Sequence, residues 1–391
     1  MPSSEPKRSP SLAARLLAPV VLVLITLLLC ELLLRAWFNL FPPLNHTLLP
    51  PGKAGLHLFE PSQGNAFYAV KPRASQLFLR HEFRVNVQTN NIGLREDRDY
   101  NGEPVDIAFI GDSYTFGWGV ETGERYSDVV GEAFPGMNVL SYAYPNGHAP
   151  VNYLAFLQQN PHLMPDVLVL GLFAFNDLAD DTADAVVSYR DGQIESVASK
   201  SLEVDPNGFV VAKGHFPPPF LSSGWWIRHT AIGRSTNVAR HRIRSGGGEV
   251  EKPGEWRGLD RGEWDETAML ALDHVRRIDD LAREAGSTLL VFYVPFPSYV
   301  VDTPVCVYAA ALCAEQLESN QLGEALAEWA ESEDIRFIDP VEYFRVLTAQ
   351  GQQLYFSWDA HWTPAGHAAA GKLVADYLEM YGLATRDASV Q

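Results

Sequence analysis

The longest apolar run in the chain, Leu16 to Leu34, spans nineteen residues and is interrupted by Thr26, Cys30 and Glu31. About 20 such residues in a helix cross a bilayer, so the run predicts a single transmembrane anchor over residues 15–38. Glu31 falls near the far end, where burying a charge costs least. Lys7, Arg8 and Arg15 precede the run, and Trp37 follows it at the expected interface. This asymmetry predicts a cytoplasmic tail at residues 1–14 and an extracytoplasmic location, periplasm or cell surface, for everything beyond about residue 40. A cleaved signal peptide would share the apolar run, but no small-x-small cleavage site follows it, and the uncleaved anchor is preferred.

Beyond the anchor the pattern alternates. Stretches at Gln76–Leu79 and Glu82–Val87, separated by polar breaks, predict a small β-rich collar over residues 42–104. Continuous apolar runs then take over at Val105–Ile110, Val167–Phe173, Ser287–Pro295 and Ile335–Asp339. Such runs suit strands buried on both faces of a parallel sheet. Helical segments lie between them at Glu124–Phe134, Trp264–Ala285 and Leu317–Glu331. Thr363, Pro364 and Gly382 supply the cap, the first turn and the stop of a last helix. Strands alternating with helices place the chain in the α/β class, as a three-layer α/β/α sandwich around a parallel sheet over residues 105–382. Residues from about 185 to 262 break the alternation with Gly, Pro and Trp clusters and read as an insertion.

Composition narrows the function. The 391 residues include 30 basic and 48 acidic side chains, a formal charge of −18, so a phosphate backbone would be repelled and nucleic acid is not a predicted partner. Three cysteines, Cys30, Cys306 and Cys313, are too few for a disulfide scaffold or a four-cysteine zinc site. Cys306 and Cys313, seven apart and on the extracytoplasmic side, are expected to pair in a disulfide; two unpaired thiols are the competing reading. The Gly117-Trp118-Gly119 segment lacks the third glycine of a dinucleotide site. No cofactor is called for.

Ligands of open parallel sheets bind beyond the carboxyl ends of the strands. After the first buried strand come Gly111, Asp112 and Ser113, and after the next long one come Asn176 and Asp177. A serine needs a base to act as a nucleophile. His361 is the best candidate, with Asp359 two residues away to orient it, in a loop that precedes the last helix. His367 ranks second. Taken singly, Ser113 could simply cap a helix, and Asp359, His361 and His367 could ligate a metal, although their spacing matches no familiar zinc motif.

Together these blocks carry a resemblance. FIGDSYTFGWGV, FNDL and WDAHWTPAGH, preceded by the lead-in Thr89-Asn90-Asn91-Ile92-Gly93-Leu94-Arg95, resemble the SGNH (GDSL-type) hydrolase family, in particular its membrane-anchored bacterial members and polysaccharide O-acetyltransferase-like domains. The resemblance covers roughly residues 85–380 and implies a flavodoxin-like sheet. It implies that Ser113 is the nucleophile, His361 the base and Asp359 its orienting partner. It also implies an oxyanion hole from Asn176, the Ser113 N–H, and an N–H at Asn146 or Gly147, with no metal. Two departures stand out. The family's usual Asp-x-x-His is here Asp359-x-His361, as in some acetyl-transferring relatives, and alternate residues of an extended segment would still face the same way. Ala174 stands where a glycine is expected, two residues before Asn176.

The implied reaction is hydrolysis of an O-acyl, acetyl-like ester, with an acylated glycan of the envelope or another small ester as the expected substrate. The same site would be an O-acyltransferase if a sugar hydroxyl replaced water and a membrane acyl-donor protein supplied the acyl group. A catalytically dead glycan-binding module is the third reading.

Overall fold

Leu12–Leu40 forms one helix, α1, whose Leu17–Leu34 window has a mean hydropathy of 2.8 and no buried residue. It is long and apolar enough to cross a membrane or to serve as a signal anchor. The computed structural model describes residues 12–40, 56–62, 66–79, 82–145, 148–180, 185–206, 208–213, 232, 264–301, 305–307, 312–314, 319–357 and 359–385. Two units are distinguished, Met1–Lys53 with Pro217–Gly248, and Ala54–Phe216 with Glu249–Gln391. Helix α1 belongs to the first, and everything below to the second.

Two antiparallel pairs come first: β1 (Phe59–Glu60) with β2 (Ala69–Val70), and β3 (Ser75–Leu79) with β4 (Arg84–Gln88). The main sheet begins with β5 (Ile107–Gly111), followed by α2 (Ser113–Phe116), α3 (Tyr126–Ala133), β6 (Val139–Ser141), α4 (Pro150–Gln159), β7 (Val167–Leu172) and α5 (Ala174–Asp180). Antiparallel pairs β8 (Ala185–Arg190) with β9 (Gln193–Ser199) and β10 (Leu202–Val204) with β11 (Val210–Ala212) occupy the start of the expected insertion. Residues 214–231 and 233–262 of that insertion, with Trp225, Trp226 and Trp256, lie outside the described residues.

The chain continues with α6 (Glu266–Glu284), β12 (Thr288–Tyr293), β13 (Val305–Val307), β14 (Leu312–Ala314), α7 (Gln321–Ser332), β15 (Arg336–Ile338), α8 (Val341–Ala349) and α9 (Pro364–Met380). In β13 and β14 the backbone pairs Cys306 directly with Cys313. Their side chains, and with them the expected disulfide, lie outside the described residues.

The sheet order is β15-β12-β7-β5-β6, all parallel. Every residue of β5 and β7 is buried, which explains their unbroken apolar sequences. Right-handed crossovers place α3 on one face and α4, α6 and α7 on the other. The packing agrees: α3 contacts α9, and α4 contacts α6. The architecture is the predicted α/β/α sandwich with a flavodoxin-like strand order. Thr363 caps α9, its hydroxyl accepting the Gly366 N–H at 3.2 Å, with Pro364 in the first turn. The sequence pattern had not marked β6, α4 or α8.

Candidate active site

Connections leave β5 and β7 in opposite directions across the sheet, which opens a crevice at their carboxyl ends. Gly111 and Gly171 pair there in register. A Cβ on Gly111 would lie 2.3 Å from the Thr115 Oγ1, and one on Gly171 2.4 Å from the same atom. Glycine at both positions makes room for the Thr115–Tyr126 hydroxyl pair, 2.9 Å apart. Asp112 then caps α2, its carboxylate accepting the Tyr114 N–H at 2.9 Å. The cap is therefore Asp112, which leaves the Ser113 hydroxyl available for another partner.

That partner comes from the loop before α9. Tyr355 and Trp362 form an isolated antiparallel bridge, and the Phe356 N–H donates to the His361 carbonyl at 2.9 Å. The bridge closes a tight turn that carries Asp359 and His361. The His361 Nε2 lies 2.8 Å from the Ser113 Oγ, and its Nδ1 hydrogen-bonds the Asp359 carboxylate. The second Asp359 oxygen accepts from the Trp118 indole at 3.4 Å. Rings of Tyr114 and Trp118 flank the imidazole, with centroids 4.8 and 5.6 Å away. Asp359 is buried, and the His361 side chain is 12% exposed.

The two-residue spacing works by a route other than the extended geometry expected from the sequence. Ala360 has φ of 65°, in the left-handed region, so the chain bends between Asp359 and His361 and turns the two side chains toward each other. The Tyr114 hydroxyl donates to the Ala360 carbonyl at 2.8 Å and pins the bend. Neither Tyr114 nor Trp118 was singled out from the sequence. Their signal was proximity to the GDS block.

Burial pushes the Asp112 carboxyl up to about 6, against the Tyr114 N–H, His361 and Asn176, which all favour its charge. Asn176 thus stands close to Asp112, in the first turn of α5. Its Oδ1 has no hydrogen-bond partner among the described residues. Asp177 is used structurally, accepting from the Phe173 N–H at 2.9 Å and the Tyr153 hydroxyl at 3.1 Å. Asn146 and Gly147 lie outside the described residues. His367 is fully buried, where desolvation pulls its imidazole down to about 3, and its Nδ1 accepts the Tyr126 N–H at 3.3 Å. Among the described residues no group of three His, Cys, Asp or Glu side chains converges on a metal position.

Residues 264–389 match the profile of the SGNH hydrolase-like domain of the acetyltransferase AlgX. The match spans about a third of this chain's length. Asp359 and His361 fall inside the matched segment, and Ser113 precedes it. No curated protein matches the chain. Among solved structures, a member of the lipolytic G-D-S-L family from Veillonella parvula is 12% identical, with 70% of this chain and 97% of that one covered at a TM-score of 0.33. A GDSL-like lipase from Bacteroides thetaiotaomicron is 12% identical, with 71% and 88% covered and a TM-score of 0.36. An acetyl xylan esterase is 11% identical, with 71% and 98% covered and a TM-score of 0.34. Likeness at these TM-scores carries no functional argument.

Proposed function

We propose that this SGNH-type chain is an extracytoplasmic serine enzyme of acyl transfer, which hydrolyses O-acyl esters of acetyl-like size. One observation carries the reading: the Ser113 Oγ is 2.8 Å from an imidazole whose other nitrogen bonds a buried carboxylate. A nucleophile, a base and an orienting group in that order are what an ester needs. The basic residues before α1 support an anchor with the catalytic unit outside the cytoplasm.

In this mechanism Ser113 attacks the ester carbonyl carbon as its proton passes to the His361 Nε2. Asp359 stabilises the imidazolium. The oxyanion is held by the Asn176 side-chain N–H and the Ser113 backbone N–H, with Asn146 or Gly147 as the third donor. The carbon–oxygen bond to the leaving alcohol breaks, and the alcohol takes the proton from His361. Water then attacks the acyl-serine, its proton goes to His361, and the acid departs as Ser113 regains a proton. Removing a single oxyanion donor typically costs about 10²–10³ in rate, so Asn176→Ala should be nearly as visible as loss of the base.

A second reading is favoured by the AlgX match: a sugar hydroxyl of an envelope glycan replaces water, and a membrane protein supplies the acyl group. The two differ only in the acceptor of the acyl-serine. Both are tested with the full-length chain in detergent micelles, a fluorophosphonate probe and p-nitrophenyl acetate, with Ser113→Ala, His361→Ala and His367→Ala alongside. Labelling and turnover lost in the first two variants and kept in the third support acyl transfer. Acetylated product formed only with a glycan acceptor assigns transferase over esterase. A folded wild type that takes no label overturns the esterase and leaves a glycan-binding module or a transferase that works only with its membrane partner.

A further inference from the structure

Glu82 lies in the connection between β3 and β4, far in sequence from the loop that carries the base. One oxygen of its carboxylate accepts the Ser357 N–H at 2.7 Å, and the other accepts the Asp359 N–H at 3.0 Å. Charge-assisted bonds of this kind are roughly twice as strong as neutral ones. On the other side of the same turn the Tyr114 hydroxyl holds the Ala360 carbonyl. The turn is thus gripped by its N–H groups and by its carbonyl from two separate elements. It needs such a grip, because Ala360 sits in the left-handed region that alanine disfavours.

Aromatic contacts extend the link. Phe83, next to Glu82, packs against Phe356 with ring centroids 5.2 Å apart and against Phe78 at 5.4 Å. Phe78 meets Trp118 at 4.7 Å, and Trp118 donates to Asp359.

Resting on the acyl-transfer reading, we infer that Glu82 is a positioning residue for the reaction: from the β3–β4 hairpin it clamps the backbone N–H groups of Ser357 and Asp359 so that Asp359 holds His361 toward Ser113. The hairpin is then a wall of the site and more than a spacer. Displacing a reacting group by about 1 Å can cost up to about 10²-fold in rate. Glu82→Ala removes both acceptors. Glu82→Gln keeps its size but has a single acceptor oxygen, its NH₂ opposing the other N–H.

The full-length chain is assayed with p-nitrophenyl acetate, with active sites titrated by the fluorophosphonate. Per titrated site, kcat should fall about tenfold or more in Glu82→Ala and by a smaller factor in Glu82→Gln, with KM within about twofold. The His361 Nδ1 proton, observed by NMR on histidine-labelled protein and assigned with His361→Ala, should shift or broaden in Glu82→Ala. A kcat per titrated site unchanged in Glu82→Ala overturns the inference, as does a fall that only parallels the titratable fraction. So does an unchanged Nδ1 resonance. A wild type without labelling or turnover defeats the esterase reading instead, while the proton resonance still reports whether Glu82 holds the turn.

Discussion

Asp112→Asn should make the protein more stable and the enzyme slower, in a manner that depends on pH. The Asp112 carboxyl is fully buried, and desolvation raises it from 3.8 to about 6 despite the Tyr114 N–H, His361 and Asn176. Below pH 3.8 both folded and unfolded chains keep the proton, and no penalty arises. Between 3.8 and about 6 the unfolded carboxyl ionises first, so folding loses stability as pH rises; above about 6 the whole penalty is present. At about 1.4 kcal/mol per pH unit, the penalty is about 1 kcal/mol at pH 4.5 and on the order of 3 kcal/mol at pH 8. Asparagine caps helices about as well as aspartate, so the variant keeps the cap while losing the charge. Urea unfolding followed by tryptophan fluorescence would read the change, because Trp118 and Trp362 are buried beside the site. Asp112→Asn should gain about 2 kcal/mol more at pH 8 than at pH 4.5. A gain of equal size at the two pH values, or none at pH 8, would refute the reasoning. Turnover should fall in the same variant, since it removes a negative charge that interacts with the His361 imidazolium formed in the reaction. Stability given up for activity is common at such sites.

Two further outcomes follow from the geometry. Asp359→Asn leaves the shape of the turn but presents an amide to the His361 Nδ1, so kcat for p-nitrophenyl acetate should drop by roughly 10²–10⁴ with little change in KM. Gly171→Ala places a methyl 2.4 Å from the Thr115 Oγ1 and 2.7 Å from the Tyr126 hydroxyl; overpacking of this sort should cost about 1–3 kcal/mol, seen as a lower urea midpoint.

Much of the sheet was legible because a parallel strand buried on both faces leaves an uninterrupted apolar run, as in Val167–Leu172. β6 was not, because three residues are too few to show a period. α4 is buried along most of its length, from Pro150 to Leu157, so it lacks the polar stripe by which a helix is recognised. At the site, Ser113, His361 and Asp359 could be picked out from strand exits and motif order. The local reason for their contact could not, because it is a left-handed Ala360, a conformation that no side-chain pattern announces. Tyr114, Trp118 and Glu82 escaped notice for a related reason. Each acts through a long-range hydrogen bond to the turn at 357–360, and sequence spacing carries no trace of such a bond.

The lead-in block before the GDS strand was recognised by resemblance alone, and the structure supplies a physical role for its arginine. α2 is a single turn of four residues, too short to hold itself together in isolation. Carbonyls at its carboxyl end have no helical partners. Arg95, buried beneath it, donates to the Phe116 carbonyl at 2.9 Å, the Gly117 carbonyl at 2.6 Å and the Val120 carbonyl at 2.5 Å. Its own carbonyl accepts from Arg125, which is paired with Glu96 and Asp128. The planar guanidinium reaches three oxygens at once because its donors are spread over a fork; an ammonium is a compact point charge and cannot. Arg95→Lys therefore leaves the buried Phe116 and Val120 carbonyls short of a donor, at about 1–3 kcal/mol for each. The seat of Ser113 loosens with them. Native-state hydrogen exchange at the amides of residues 116–118, which close α2, should accelerate more than at β7, and fluorophosphonate labelling should slow. Exchange and labelling both unchanged in Arg95→Lys would mean that α2 is held by its packing and that the arginine is incidental.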